Sequence, residues 1–327
     1  MTHARERQVA VEAVTQAAQI CAGVRAEMVG AAFVQKDDRS PVTIADFSAQ
    51  ALICQRLSEA FPSDAIVAEE DATELRKHEN AGTLDVVARY VRLALPEATR
   101  RDICHWIDLG TSQPADRFWT LDPIDGTKGF LRNDQYAVAL ALIEHGQVKL
   151  GALACPALPS GGAQGPGVLF VAVRGAGAFM APLAGGPEMP IRVAYDGAAR
   201  RFVESVEAGH GDHALQEAVA RAAGIEQPPL RMDSQAKYGA VARGDAALYL
   251  RLPSPKSPGY RENIWDHAAG ALIVEEAGGR VSDMYGAPLD FGAGTKLHAN
   301  RGVVVSNGAL HDAVIAALMQ RSVSHPV

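Results

Sequence analysis

The chain has 327 residues, 48% of them hydrophobic, enough to bury the core of one large domain or two. Its formal net charge of −7 argues against a general nucleic-acid binder working through a basic surface, so a polyanionic ligand would need local cations. Cys21, Cys54, Cys104 and Cys155 are far apart with no Cys-x-x-Cys pair, which excludes a zinc knuckle or dense disulfide scaffold and points to a reducing cytoplasm.

From the N-terminus, residues 1–7 are not followed by a signal-type apolar core, and no later run approaches the roughly 18 apolar residues of a membrane span. Helical spacing of Ala, Val, Ile and Met predicts a helix over Val9–Glu27 and another over Ile44–Phe61, the second set between Ser40-Pro41 and Pro62. Asp46 falls in its first turn, either as an acid favoured by the helix dipole or as a functional carboxylate. The apolar run Ala65–Ala68 leads into Glu69-Glu70-Asp71, and Thr73–Gln113 reads as a charged, helix-leaning surface lobe without chemistry of its own.

Arg117–Leu121 predicts a strand that stops at Asp122, because Pro123 has no N–H to continue a ladder. Asp122 and Asp125 can then converge on one point, with the Ile124 carbonyl as a neutral oxygen ligand and Gly126 permitting close backbone approach. Hard cations such as Mg²⁺ favour this donor set. Thr127–Phe130 can open a helical turn whose N–H groups face an anion. By itself the hexapeptide could be an ordinary turn; Glu69-Glu70 and Asp266 are what make a shared metal and phosphate pocket the better reading.

Tyr136–Ile143 and Val148–Ala154 predict a hairpin around His145-Gly146-Gln147, with a further strand over Val168–Val173. Pro159–Gly167 marks a loop, and Pro182–Pro190 a border between an N-terminal α+β domain, 1–185, and a C-terminal α/β domain, 186–327. Ala246–Arg251 reads as a strand ending in a fork-shaped donor, suited to a phosphate or to a surface ion pair. Ile264–Ala277 predicts a helix closed by Gly278-Gly279, with Asp266 in its first turn and Trp265 in the core. Lys128, Arg132 and Arg261 read as solvated charges, and Ser322–Val327 as a loose tail.

The Asp122–Thr127 run, the earlier Glu69-Glu70 and the later Trp265-Asp266 resemble the signature of the inositol monophosphatase superfamily of metal-dependent, lithium-sensitive phosphatases. Residues 40–46, Trp119–Arg132, Asp233–Gly239 and Tyr249–Arg251 are similar to its 3′(2′),5′-bisphosphate nucleotidase branch, which removes the 3′-phosphate of 3′-phosphoadenosine 5′-phosphate. The resemblance runs from the first helix to about Asn307. It implies the layered α-β-α-β-α sandwich of the sugar phosphatases, within the α+β and α/β classes.

It also implies that Glu69, Asp122, the Ile124 carbonyl, Asp125 and Asp266 hold two or three Mg²⁺ ions, with Asp122 bridging and Glu70 behind them. Water activated by these ions attacks phosphorus in line, oriented by Thr127 and Asp46 and without a covalent phosphoenzyme. Gly126 and Thr127 lie against the reacting phosphate, Ser234, Lys237 and Arg251 against the second phosphate, and His210, or the nearby His213, against the adenine. Two departures stand out: Ala68 where relatives commonly have Gly, and the long proline-rich loop 253–260 between Arg251 and Asp266. The alternatives are an inositol 1,4-bisphosphate or other inositol phosphate phosphatase, and a phosphonucleotide sensor that binds without hydrolysis. In every case the partner is a small phosphorylated molecule, with neither nucleic acid nor membrane involved.

Overall fold

The computed structural model describes residues 2–27, 33–35, 41–160, 166–195, 201–207, 212–254, 256–257 and 259–324. Apolar residues recurring every three to four positions wind α1 (Ala4–Glu27), five residues longer at its start than the periodicity predicts, and α2 (Ile44–Ala60). A short antiparallel pair, β1 (Phe33–Gln35) and β2 (Pro41–Thr43), joins them. Then come β3 (Ala65–Ala68), α3 (Ala81–Val91) and α4 (Arg100–Asp108). Thr99 and Asp102 start α4 with a reciprocal capping box. The expected surface lobe is in part core: Leu75, Val87, Val91, Ile103 and Ile107 are buried against α1 and α2, because their 3.6-residue spacing gives these helices an apolar face.

β4 (Arg117–Asp125), α5 (Thr127–Leu131), β5 (Ala137–Glu144), β6 (Gln147–Pro159), β7 (Pro166–Val173), β8 (Gly177–Pro182) and β9 (Met189–Pro190) follow, and β3 to β9 form one seven-stranded sheet in chain order. The 185/186 border falls between β8 and β9. A five-stranded sheet is built from β10 (Phe202–Glu204), β11 (Leu230–Arg231), β12 (Leu248–Arg251), β13 (Arg280–Ser282) and β14 (Val303–Ser306), in the order β11-β10-β12-β14-β13. Its helices are α6 (His213–Ala222), α7 (Ala236–Ala242), α8 (Ala268–Glu276) and α9 (His311–Ser324).

Period-two alternation divides the core. Along β5, Val138, Leu140 and Leu142 face α1 to α4, while Ala137, Ala139, Ala141 and Ile143 face α7 and α8. Val203, Tyr249, Val303 and Val305 of the small sheet close this middle layer from the far side. Phe202, Leu248, Leu250 and Val304 on the opposite face pack against α6 and α9. The order is therefore α-β-α-β-α, as the resemblance implies.

Three local expectations change. Pro123 does not end the strand: β4 stays paired with β5 as far as Asp125, through a register shift between Asp122 and Asp125. Asp266 precedes α8 in a turn rather than lying in its first turn, since the helix begins at Ala268; at the other end, Gly278, with φ +91°, donates to the Glu275 carbonyl as the sequence predicts. The supposed tail continues α9 as far as Ser324, and residues 325–327 lie outside the described residues.

The middle layer is packed through missing side chains. A Cβ on Gly270 in α8 would lie 2.4, 2.6 and 2.8 Å from Tyr238 atoms, and the Tyr238 hydroxyl is held 2.6 Å from His267 Nδ1. The ring cannot move aside without breaking that bond. Gly270→Ala therefore loses about 3 kcal/mol to overpacking against about 1 kcal/mol of helix propensity gained. A net destabilisation of roughly 2 kcal/mol is expected in urea denaturation, and a midpoint equal to wild type would show that the ring yields freely.

Candidate active site

The parallel pairing of β3 with β4 sets Ala68 beside Leu121, so β3 ends there and Glu69 emerges next to Asp122 while β4 continues; the Glu69 N–H donates to the Leu121 carbonyl at 3.3 Å. Asp122 pairs with Ala139 and Asp125 with Ala137, so three steps on β4 match two on β5. In a regular strand, residues three apart face opposite sides. The extra residue, a bulge, brings both aspartates to the side shared by Ala137 and Ala139 and leaves Ile124 in the core on the other. Ala68 is accommodated because its Cβ faces Gly110, where an added Cβ would come within 2.7 Å.

Gly126, with φ +86°, makes the turn into α5, and the Thr127 hydroxyl donates to the Ile124 carbonyl at 3.3 Å. A Cβ on Gly126 would come within 3.0 Å of the Ser234 Cβ. Ser234, itself at φ +66°, precedes α7, which carries Lys237. These segments meet around a cavity of about 310 Å³. Its walls include Glu69, Asp122, Ile124, Asp125, Gly126, Thr127, Ser234, Lys237, Arg251 and Asp266, ten of the residues singled out in the sequence. Asp46 is buried in α2 and does not line the cavity, though its charge acts on Asp122. His210 lies outside the described residues.

The acidic wall is held at high electrostatic cost. Burial first, then the charges of Glu69, Asp125, Asp266 and Asp46, push the Asp122 carboxyl well above the usual range. Burial likewise raises Asp125, against the pull of Lys237, and burial together with Asp125 pushes Asp266 up to about 8. Among the described residues, buried Asp122 Oδ1 finds no hydrogen-bond partner. An orphaned carboxylate oxygen among like charges at the strand ends fits divalent-cation ligands, which would return every one of these groups to the anionic form. The same cavity holds two cations: burial lowers the Lys237 ammonium to about 8, while burial of Arg251 is outweighed by the Glu262 charge, which holds its guanidinium above the ordinary value.

Several residues that shape the site were missed in the sequence. Gln235 braces it: its N–H donates to Asp125 Oδ2 at 2.5 Å, its amide donates to the Trp265 carbonyl at 2.9 Å, and its Oε1 accepts from the Gly270 N–H at 3.1 Å. Gln50 of α2 brackets the backbone of Glu70 through both ends of its amide. Glu262, Asp266 and His267 have possible ligand atoms all within 4.8 Å of one another. Glu262, however, is already engaged by Arg251 and His267: burial opposes its charge, but the His267 hydrogen bond and the Arg251 charge hold its carboxyl down at about 2. Glu262 and His267 are therefore better described as a hydrogen-bonded support than as metal ligands, and Asp266 alone of the three is left to the acidic wall. Lys128 and Arg132, expected as solvated charges, are ion-paired: Lys128 with Glu207 at 3.4 Å, and Arg132 with Glu207 and buried Asp233. Trp265 is only half-buried, packed against the middle core.

For a buried acid whose folded pKa is raised, the penalty is absent below the unfolded value, about 4, and full above the folded value, about 8 for Asp266. Lys237, lowered to about 8, is charged in both states below that pH and adds no slope in this window. In EDTA, the melting temperature should therefore fall as pH rises from about 6.5 to 8, above the range in which His311, lowered by burial to about 4, adds the opposite slope, and Asp122→Asn should flatten the fall. An equally steep fall in Asp122→Asn would show that the acidic wall is not its source.

Residues 4–323 match the inositol monophosphatase family. The chain is 45% identical to a 3′(2′),5′-bisphosphate nucleotidase of Emericella nidulans, covering 97% of this chain and 98% of the relative. It is 42% identical to the protein of the same name in Schizosaccharomyces pombe, over 97% and 96%. Among solved structures, a Thermotoga maritima IMPase superposes with a TM-score of 0.63 at 24% identity, covering 95% of each chain. An inositol monophosphatase from Anabaena gives 0.60 at 20% identity, over 98% and 97%, and these two likenesses bear on the fold alone.

Proposed function

The chain belongs to the inositol monophosphatase family, and we propose that within it the protein hydrolyses the 3′-phosphate of 3′-phosphoadenosine 5′-phosphate, giving AMP and inorganic phosphate. The observation that carries this reading is a single cavity lined both by the carboxylates Glu69, Asp122, Asp125 and Asp266 and by the cations Lys237 and Arg251. One phosphate needs the acidic wall with its metals; a second gives the two cations an anion. An inositol monophosphate would leave both cations without one, and the relatives named as bisphosphate nucleotidases favour the nucleotide over an inositol bisphosphate.

The family is generally metal-dependent, and Glu69, Asp122, the Ile124 carbonyl, Asp125 and Asp266 would hold the ions, which we take to be Mg²⁺. Bound ions of this type neutralise phosphate charge and lower the pKa of water. The remaining chemistry falls to the chain. The Thr127 hydroxyl orients the attacking water and passes its proton to the buried Asp46 carboxylate, because a hydroxyl with its ordinary pKa is a poor base by itself. Gly126 lets the reacting phosphate approach the backbone. Ser234, Lys237 and Arg251 bind the 5′-phosphate, Arg251 through the fork of its guanidinium. His210 is assigned to the adenine. No covalent intermediate forms on the protein. The four free, buried cysteines support a reducing cytoplasm, and among the described residues no helix is long and apolar enough to cross a membrane.

Phosphate release should rank 3′-phosphoadenosine 5′-phosphate above inositol 1,4-bisphosphate, inositol 1-phosphate and fructose 1,6-bisphosphate in Mg²⁺, with inhibition by Li⁺. A preference for inositol 1-phosphate would overturn the substrate assignment. Asp122→Asn should lower kcat by about a thousandfold or more with an unchanged circular dichroism spectrum; wild-type turnover at saturating Mg²⁺ would refute the ligand set.

A further inference from the structure

A buried chain of hydrogen bonds runs from Tyr238 to Arg251, and its His267 and Glu262 line the cavity together with Arg251. The Tyr238 hydroxyl lies 2.6 Å from His267 Nδ1, His267 Nε2 lies 3.4 Å from Glu262 Oε2, and Arg251 Nε donates to Glu262 Oε1 at 3.1 Å. Tyr238, Glu262 and His267 are 1%, 8% and 2% exposed, so water does little to stabilise any one of them. With the His267 proton on Nε2, each donor faces an acceptor: Tyr238 to His267, His267 to Glu262, Arg251 to Glu262. Both carboxylate oxygens are thereby engaged, one from each side, and the carboxylate cannot swing.

Among the described residues, Nε makes the only hydrogen bond of the Arg251 side chain, leaving the four N–H groups at the end of its fork available where it lines the cavity. A carboxylate beside an anion site weakens it electrostatically, since Glu262 subtracts a charge from the pair that Lys237 and Arg251 supply. Its placement makes sense as orientation. A buried guanidinium with one edge anchored cannot rotate, so its outward edge is already set for two oxygens of one phosphate. Tyr249 adds a wall: its ring lies edge-on to Tyr238 at 5.3 Å and under the Lys237 ammonium at 5.2 Å, so the second cation rests on the same framework.

We infer that Glu262, fixed through His267 by the Tyr238 hydroxyl, is the positioning residue that presents Arg251 to the second phosphate, and that this chain sets the preference for a bisphosphate over a monophosphate ester. The inference rests on the proposed two-phosphate reading of the cavity. In this assignment Glu262, His267 and Tyr238 act through Arg251 and not on a phosphate directly.

The test compares kcat/KM for 3′-phosphoadenosine 5′-phosphate with that for 3′-AMP, which lacks the second phosphate, in Mg²⁺. Glu262→Ala should lower the ratio of the two by about 10- to 100-fold, mainly through the KM of the bisphosphate. In an Arg251→Ala background the same change should lower the ratio by less than about threefold further, because no guanidinium remains to be oriented. Tyr238→Phe removes only the hydroxyl at the far end of the chain and should lower the ratio about threefold, so it carries the test if Glu262→Ala does not fold. An unchanged ratio in the folded single variants, or fully additive losses in the double variant, would overturn the inference. If wild type shows no preference for the bisphosphate, the two-phosphate reading itself fails, an outcome distinct from a wild-type preference that Glu262→Ala leaves intact.

Discussion

Mutual repulsion among buried carboxylates is the constraint on which the rest of this structure depends. Glu69, Asp125, Asp266 and Asp46 are held close enough to the buried Asp122 that each raises the cost of ionising it. No isolated hairpin or helix would keep such a group together. The five-layer arrangement does so by bringing its acids in from different elements: the end of β3, the bulge in β4, and the turn before α8. Gln235 ties the bulge to that turn with bonds to Asp125 and to the Trp265 backbone, so two segments that repel through their side chains are linked by neutral polar groups. Stability lost at the acids is offset by a middle layer packed so tightly that several glycines have no room for a methyl group.

The bulge shows how small the decisive step is. Without one extra residue between Asp122 and Asp125, Asp125 would point towards α1 and α2, where Ile124 now lies, and the acids would be divided by the sheet. Pro123 supports the distortion because it has no N–H to donate to a ladder. The sequence reading recognised that the proline interrupts regular pairing but took the interruption for an end. The pairing resumes at Ala137, and only the partner strand reveals it.

Much of the acidic wall was legible because its signals are local: strand, proline, two aspartates and a glycine within a few residues, a pair of glutamates after an apolar run, and a tryptophan-aspartate step. Layer order followed from period-two strands and the family resemblance. What escaped were contacts between residues distant in sequence whose types are unremarkable alone. Gln235 lies within the Asp233–Lys237 segment, yet nothing local says that its amide reaches Trp265 and Gly270. Glu262 does carry a usable signal, an acid four residues before Asp266 and five before a histidine, but its partner Arg251 lies across the proline-rich loop. The apolar faces of α3 and α4 were hidden by the charges of α4 and of the segments flanking both helices, since charge density obscures a periodic stripe of Leu, Val and Ile.

The two sheets divide the work under the proposed reading. The large sheet ends in the acids that would carry metals, a demand any phosphate monoester meets; the small sheet and its neighbouring segments supply Arg251, Glu262 and the aromatic framework that would tell one phosphate ester from another. Because the acidic wall is anchored by β3, β4 and Gln235, and the cationic side by Tyr238, His267 and Glu262, altering one support need not dislodge the other. They touch at His267, which follows Asp266 directly in the chain. Moving His267 to release Arg251 would move the Asp266 backbone as well, so substrate preference can be retuned more readily at Glu262, Tyr238 or Tyr249 than at the histidine between them.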